Sequence, residues 1–197
     1  MASFITFILV LFLDLLPALI VGIVLSVVYM IYRVSFPGRS VLGWVEEIGN
    51  FEAISCQYGR HKGTIYSEAK PVPGVVVYRF VAPLIFSNAE AFEKTGKKLL
   101  IDAAAKDNLP QPMVIDCEEV SYIDPTGAAA IKSLLEYAQR YHVELFLARV
   151  HSGTHKLLDL TGVLGYIGEE RIFPTIRGAV NVAVYNDKNK EGKTHDQ

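Results

Sequence analysis

The sequence is short of cysteine and of excess positive charge, and each shortage removes a class of function. Its two cysteines, Cys56 and Cys117, fall in unrelated contexts. Neither a disulfide framework nor a Cys-x-x-Cys metal or redox site is expected, and two reduced thiols are the simpler reading. The 19 Lys and Arg against 21 Asp and Glu leave a formal charge of -2. Binders of nucleic acid carry clustered excess Lys and Arg, so nucleic acid is dropped as a partner. No Gly-x-Ser-x-Gly elbow and no dinucleotide fingerprint occurs. Thr95-Gly96-Lys97-Lys98 resembles the end of a phosphate-binding loop. It lacks the upstream glycine and falls inside an expected helix, so it reads as helix surface.

Charge is scarcest near the N-terminus, where Asp14 is the one charged residue between Ala2 and Ile31. A run that long and apolar belongs in a bilayer rather than in a buried core. No Lys or Arg precedes it and no small-residue cleavage site follows, so a signal peptide is not expected. A straight helix of this length would measure roughly 45 Å against a hydrocarbon core of roughly 30 Å. Asp14 and Pro17 offer the natural break, giving a hairpin of two short apolar helices. Ala18, Gly22 and Ser26 repeat at four-residue spacing and give one helix a face of small side chains. Arg33 and Arg39 follow the block while nothing basic precedes it, and the positive-inside bias puts the remainder in the cytoplasm.

After Pro37-Gly38 the pattern changes to strands alternating with amphipathic helices, which predicts an α/β domain. Strands are expected at Val41–Val45, Val75–Phe80, Met113–Cys117, Val143–Val150 and Arg171–Phe173. Residues 56–73 read as a loop ending in Pro71 and Pro73. Ser87 with Glu90 has the spacing of a capping box, ahead of a helix whose face carries Phe92, Leu99, Leu100 and Ala103. Asp124 is placed to cap a helix that begins at Pro125 and carries Ala128, Ile131, Leu134, Leu135 and Ala138 on its apolar stripe. Further helices are expected at Thr154–Thr161, stopping at Gly162, and through Ile176, Ala179, Val180 and Ala183. The reading therefore divides the chain into membrane segments at 1–33, a linker at 34–40, one cytosolic domain at 41–185 and a polar, disordered tail at 186–197.

Four segments in order carry a resemblance that covers nearly the whole chain. They are Leu16-Pro17-Ala18-Leu19-Ile20-Val21-Gly22, Val72-Pro73-Gly74-Val75-Val76-Val77-Tyr78-Arg79-Phe80, Ala82-Pro83-Leu84-Ile85-Phe86-Ser87-Asn88-Ala89-Glu90 and Ile167-Gly168-Glu169-Glu170-Arg171-Ile172-Phe173-Pro174-Thr175. Together they resemble the sulfate permease (SulP) family, whose members join membrane helices to a C-terminal STAS domain. The STAS signature loop, Asp-Ser/Thr-Ser/Thr-Gly between a strand and a helix, is similar to Asp124-Pro125-Thr126-Gly127, with Pro125 departing from the pattern. The resemblance implies a C-terminal portion of a sulfate or other inorganic-anion transporter in the plasma membrane. Its STAS domain, by the same resemblance a small mixed sheet flanked by helices, would act as a cytosolic regulatory and assembly module without catalysis. The implied partners are the remaining membrane domain, a second copy of the chain, and a regulatory protein or kinase.

The resemblance also supplies an alternative. Thr126 aligns with the serine that soluble anti-sigma-factor antagonists have phosphorylated, so the chain would instead be a membrane-tethered signalling protein switched at Thr126. Asp124, Thr126 and Gly127 are therefore the candidate regulatory residues. A phosphate there would meet a helix N-terminus, with Asp124 opposing it. The simpler reading is that Asp124 and Thr126 cap the helix. Asp116, Glu118 and Glu119 have no nucleophile or metal partner and read as a solvated loop at a strand end. His151 and His155 share a helix face but lack further ligands, and an exposed, incidental pair is expected. No catalytic residue, cofactor site or metal site is assigned.

Overall fold

The computed structural model describes residues 15–35, 37–58, 69–107 and 111–194. The chain divides into two compact units, Met1–Phe36 and Pro37–Gln197. In the first, helix α1 spans Leu15–Ser35, 21 residues with a mean hydropathy of 2.0 over its apolar window, long and apolar enough to cross a membrane. Pro17 lies in its first turn, where a missing N–H costs no intrahelical bond. The expected break at Asp14 and Pro17 does not fall at Pro17, since α1 runs through it as one helix long enough to cross, while Asp14 and the other arm of the expected hairpin lie outside the described residues. Ala18 and Gly22 of the small-residue face are buried, Ser26 is exposed, and most large side chains from Leu16 to Val34 are exposed.

The second unit holds strands β1 (Gly38–Val45), β2 (Asn50–Tyr58), β3 (Val76–Val81), β4 (Met113–Asp116), β5 (Leu145–Ala148) and β6 (Ile172–Phe173). Its helices are α2 (Ala89–Asp107), α3 (Pro125–Arg140), α4 (Ser152–Leu160), α5 (Val163–Ile167) and α6 (Ile176–Thr194). The strands form one mixed sheet in the order β2-β1-β3-β4-β5-β6. β1 pairs antiparallel with both β2 and β3, and the ladder from β3 to β6 is parallel.

Successive strand side chains point to opposite faces, so alternate residues feed two cores. Tyr78 and Phe80, Met113 and Ile115, and Leu145 and Leu147 face a cluster closed by α2, α3, α4 and α5. Val77, Val114, Phe146 and Ala148 face a smaller cluster closed by Ile176, Ala179, Val180 and Ala183 of α6. Burial on both faces explains why β4 and β5 are apolar at nearly every position. The α2–α3 contact depends on Gly96, where a Cβ would come 2.6 Å from Leu134 Cδ2.

In its elements and their ends this unit differs from the sequence reading in four places. Residues 34–40 are not an extended linker: α1 runs to Ser35, and β1 already pairs Gly38 with Val81 and Arg39 with Phe80. Arg39 is drawn into the fold, where Nη1 donates to Ala91 O and to Thr95 Oγ1 of α2 at 3.1 and 2.6 Å. Residues 50–58 form β2, an edge strand of mixed polarity that weak alternation concealed and that β1 recruits through its backbone. Ser87 does not cap α2: its hydroxyl is buried without a hydrogen-bond partner, and Asn88 organises the turn, accepting from Ile85 N at 2.9 Å and donating to Pro83 O at 3.0 Å. Finally, α6 continues to Thr194, past residue 186, because extending a helix already nucleated on the core costs little per residue.

Candidate functional site

The signature loop sits where β4 turns into α3, and its residues are held from two directions. Asp124 has extended backbone angles and accepts from Gly127 N through Oδ1 at 2.7 Å, a helix N-cap. Its Oδ2 accepts from Phe86 N at 2.8 Å, tying the β4–α3 loop to the segment after β3. The same two segments are stitched by Leu84 N to Tyr122 O at 2.9 Å and Asp124 N to Leu84 O at 3.1 Å. Gly127 is required by that stitch, since a Cβ there would lie 2.3 Å from Leu84 O. Thr126 is exposed in the first turn of α3. The structure thus brings Asp124, Thr126 and Gly127 together. Pro125 has no N–H, Gly127 N is bonded to the Asp124 side chain and Ala128 N to Asp124 O at 3.0 Å, so the cap already occupies much of this helix N-terminus.

Below this loop lies an ion-pair cluster that the sequence did not reveal. Asp116, expected in a solvated loop, ends β4 and is completely buried. Its Oδ2 receives Arg79 Nε at 2.5 Å and Arg149 Nη2 at 2.6 Å, while Oδ1 receives Arg149 Nε at 2.9 Å and Glu118 N at 3.2 Å. Arg149 also pairs through Nη1 with Glu118 at 2.7 Å. Arg79 ends near the same carboxylate, at 3.6 Å. A carboxylate withdrawn from water is tolerated only when paired and hydrogen-bonded in this way. Arg149 reaches it from a left-handed backbone, φ 57°, fixed by its N–H to Phe173 O at 2.9 Å.

The remaining polar groups brace the same loop. His151 Nε2 lies 2.7 Å from Glu118 O, and buried Thr154 donates to Val120 O at 3.0 Å. His155 faces Glu169 at 3.5 Å instead of joining His151. Among the described residues no cluster of three His, Cys, Asp or Glu fit to hold a metal occurs. Burial pushes the Cys117 thiol up to about 12, with Asp116 adding to the effect and Arg149 opposing it. Thr95, Gly96 and Lys97 lie within α2, where Lys97 pairs with Glu93 at 2.5 Å. The helices following β3 and β4 cover the same face of the sheet.

Residues 66–179 match the STAS domain family. The chain is 32% identical over 159 residues to a probable sulfate transporter of Mycobacterium tuberculosis, an alignment covering 81% of this chain and 26% of that protein. It is 26% identical over 175 residues to high affinity sulfate transporter 2 of Stylosanthes hamata, covering 86% of this chain and 25% of that one. The chain therefore spans about a quarter of the length of these curated relatives. Among solved structures, the murine Solute Carrier 26 family member A9 anion transporter superposes with a TM-score of 0.71 at 23% identity, covering 93% of this chain and 28% of that one. A sulfate transporter family protein from Wolinella succinogenes gives 0.50 at 26% identity, covering 61% and 93%. The kinship with sulfate permeases and the STAS-type mixed sheet implied by the four sequence segments are both shown.

Proposed function

The chain belongs to the STAS domain family, and from that premise we propose that it is the C-terminal portion of a sulfate or related inorganic-anion transporter of the permease type. In this reading α1 packs among other membrane helices, and the domain from Pro37 onward is a cytosolic regulatory and assembly module that performs no chemistry. The observation that carries it is the direct join between an apolar helix with most of its large side chains exposed and a STAS domain: only residues 36 and 37 separate α1 from β1. Large apolar side chains exposed along a helix of this length are what a bilayer or neighbouring membrane helices cover. The arrangement of titratable groups also supports a non-catalytic role, because Asp116, Glu118, Arg79 and Arg149 neutralise one another. The plasma membrane, with the STAS domain on the cytoplasmic side, is the location this role requires.

Asp124, Thr126 and Gly127 form the regulatory loop in this proposal, with Asp124 as the latch between the β3 and β4 segments. The test is expression of the chain with and without the membrane domain of a sulfate permease from the same genome, following insertion, stability and sulfate uptake. Uptake that needs both polypeptides is expected. A stable, inserted chain without effect on uptake overturns the proposal. Phosphate incorporation that disappears in Thr126→Ala would then favour the tethered signalling protein.

A further inference from the structure

A groove of about 670 Å³ opens between the β1–β2 hairpin, the segment before β3 and helix α6. Sites for small molecules span roughly 300–1,000 Å³, so the volume suits one. Its floor is apolar: Phe51 and Val180 are buried, and Trp44 and Val72 are half-buried. The floor also stands on a braced backbone. Trp44 N donates to Lys70 O at 2.9 Å and Lys70 N to Trp44 O at 3.1 Å, and the indole meets the Phe51 ring edge-on at 5.1 Å. Gly43 permits the close approach, since a Cβ there would lie 2.5 Å from Lys70 O.

Four charged side chains stand on the rim, two of each sign. Glu46 and Glu47 come from the β1–β2 turn, Lys70 from the segment before β3 and Arg177 from the first turn of α6. All four are exposed, and among the described residues none of their side chains makes a hydrogen bond or an ion pair. Arg177 instead lies over the Trp44 ring, with Cζ 4.4 Å from the centroid. In the Asp116 cluster opposite charges pair directly, whereas around this groove they stay apart and open to a ligand. These features select its chemistry. A purely apolar molecule would dehydrate charged groups without pairing them. A polyanion would meet Glu46 and Glu47, and a simple cation would meet Lys70 and Arg177. A compact zwitterion with an apolar body satisfies both rims and the floor.

We propose that this groove binds a free α-amino acid with a large apolar side chain. The carboxylate pairs with Arg177 and Lys70, the ammonium group with Glu46 and Glu47, and the side chain packs on Trp44, Phe51 and Val72. Stacking on Trp44 holds the Arg177 guanidinium in place before the ligand arrives, which reduces the ordering that binding requires. The inference goes beyond the transporter reading and does not depend on it, since it is tested by binding and not by transport.

Trp44 is the only tryptophan in the chain, so its emission reports on the groove directly. The full chain in detergent micelles is titrated with L-phenylalanine, L-leucine and L-methionine. A saturable change in Trp44 emission with a Kd below about 1 mM is expected for at least one of them. For that amino acid, the N-acetyl derivative lacks the ammonium charge and the amide derivative lacks the carboxylate. Each is expected to bind roughly tenfold more weakly, as loss of a charge-assisted pair does. Arg177→Met, at an exposed position, is expected to keep the parent's circular dichroism and to weaken the amino acid by the same factor. A Glu46→Gln, Glu47→Gln variant is expected to weaken the amino acid but not its N-acetyl derivative, a split that a general loss of structure would not give. No saturable change with any of the three amino acids overturns the proposal. Equal binding of the capped derivatives, or an Arg177→Met chain that binds like its parent, overturns it as well.

Discussion

At the residue scale, Gly127 and Cys117 show two ways a single position is constrained. The cap at Asp124 was legible because an acidic residue before proline at the head of an apolar stripe is a local signal. The need for glycine at 127 was not, because the atom that forbids a Cβ is Leu84 O, brought in from the segment after β3. Gly127→Ala meets backbone rather than a flexible side chain, and a loss of about 1–3 kcal/mol is expected, read as a lower urea midpoint at unchanged slope. Gly153→Ala, where no atom lies within 4 Å of the new Cβ, is expected to be neutral or slightly stabilising. Cys117 is predicted to resist alkylation until the chain unfolds. Its folded value, near 12, stands above the ordinary thiol value of 9.0. The folded state therefore holds the proton more tightly. Stability from this group is complete below pH 9 and is lost as pH rises from 9.0 toward 12, which denaturation midpoints across that range will show.

At the element scale, the Asp116 cluster ties together the ends of the three parallel strands, β3 through Arg79, β4 through Asp116 and the exit of β5 through Arg149. Removing the buried carboxylate leaves two guanidinium groups facing each other, so Asp116→Ala is expected to cost about 3–5 kcal/mol in chemical denaturation. Glu118→Ala, at a carboxylate 47% exposed, is expected to cost no more than about 1 kcal/mol. A pair of near-equal losses would show that the cluster does not have its weight on Asp116. The sequence presented Asp116, Glu118 and Glu119 as neighbours, which suggested a solvated loop. Asp116 is enclosed because it ends β4, a strand buried on both faces, and its partners lie 37 and 33 residues away. The Ser87 capping box failed for a related reason: Asn88, one residue on, makes the turn bonds that fix the approach to α2.

At the scale of the whole molecule, both apolar clusters of the domain draw their buried residues from Leu42 to Ala183, within the second unit alone. A chain beginning at Pro37 is therefore expected to fold by itself, to give the same circular dichroism and melting profile as the domain in the longer chain, and to remain soluble without detergent. Aggregation or loss of structure in that truncation would show that α1 is part of the domain's own core. Residues 15–35 are expected to send the longer chain into the membrane fraction.

What the sequence determined by itself was everything written in short stretches of chain: the apolar run before Arg33, the brief apolar runs of β3 to β5, the four-residue stripe of α3, the Asp124-Pro125 start signal, and the four segments similar to sulfate permeases. These patterns report each residue's own burial and backbone preference, and neighbours a few positions away suffice to express them. Tertiary structure alone decided that residues 50–58 become an edge strand, that Asp116 is enclosed by Arg79 and Arg149, that Leu84 forbids a side chain at 127, and that Lys70 meets Trp44 at one groove. Each of those depends on strand order and register, which bring together groups tens of residues apart, and a sequence carries no local mark of a partner supplied by a distant strand.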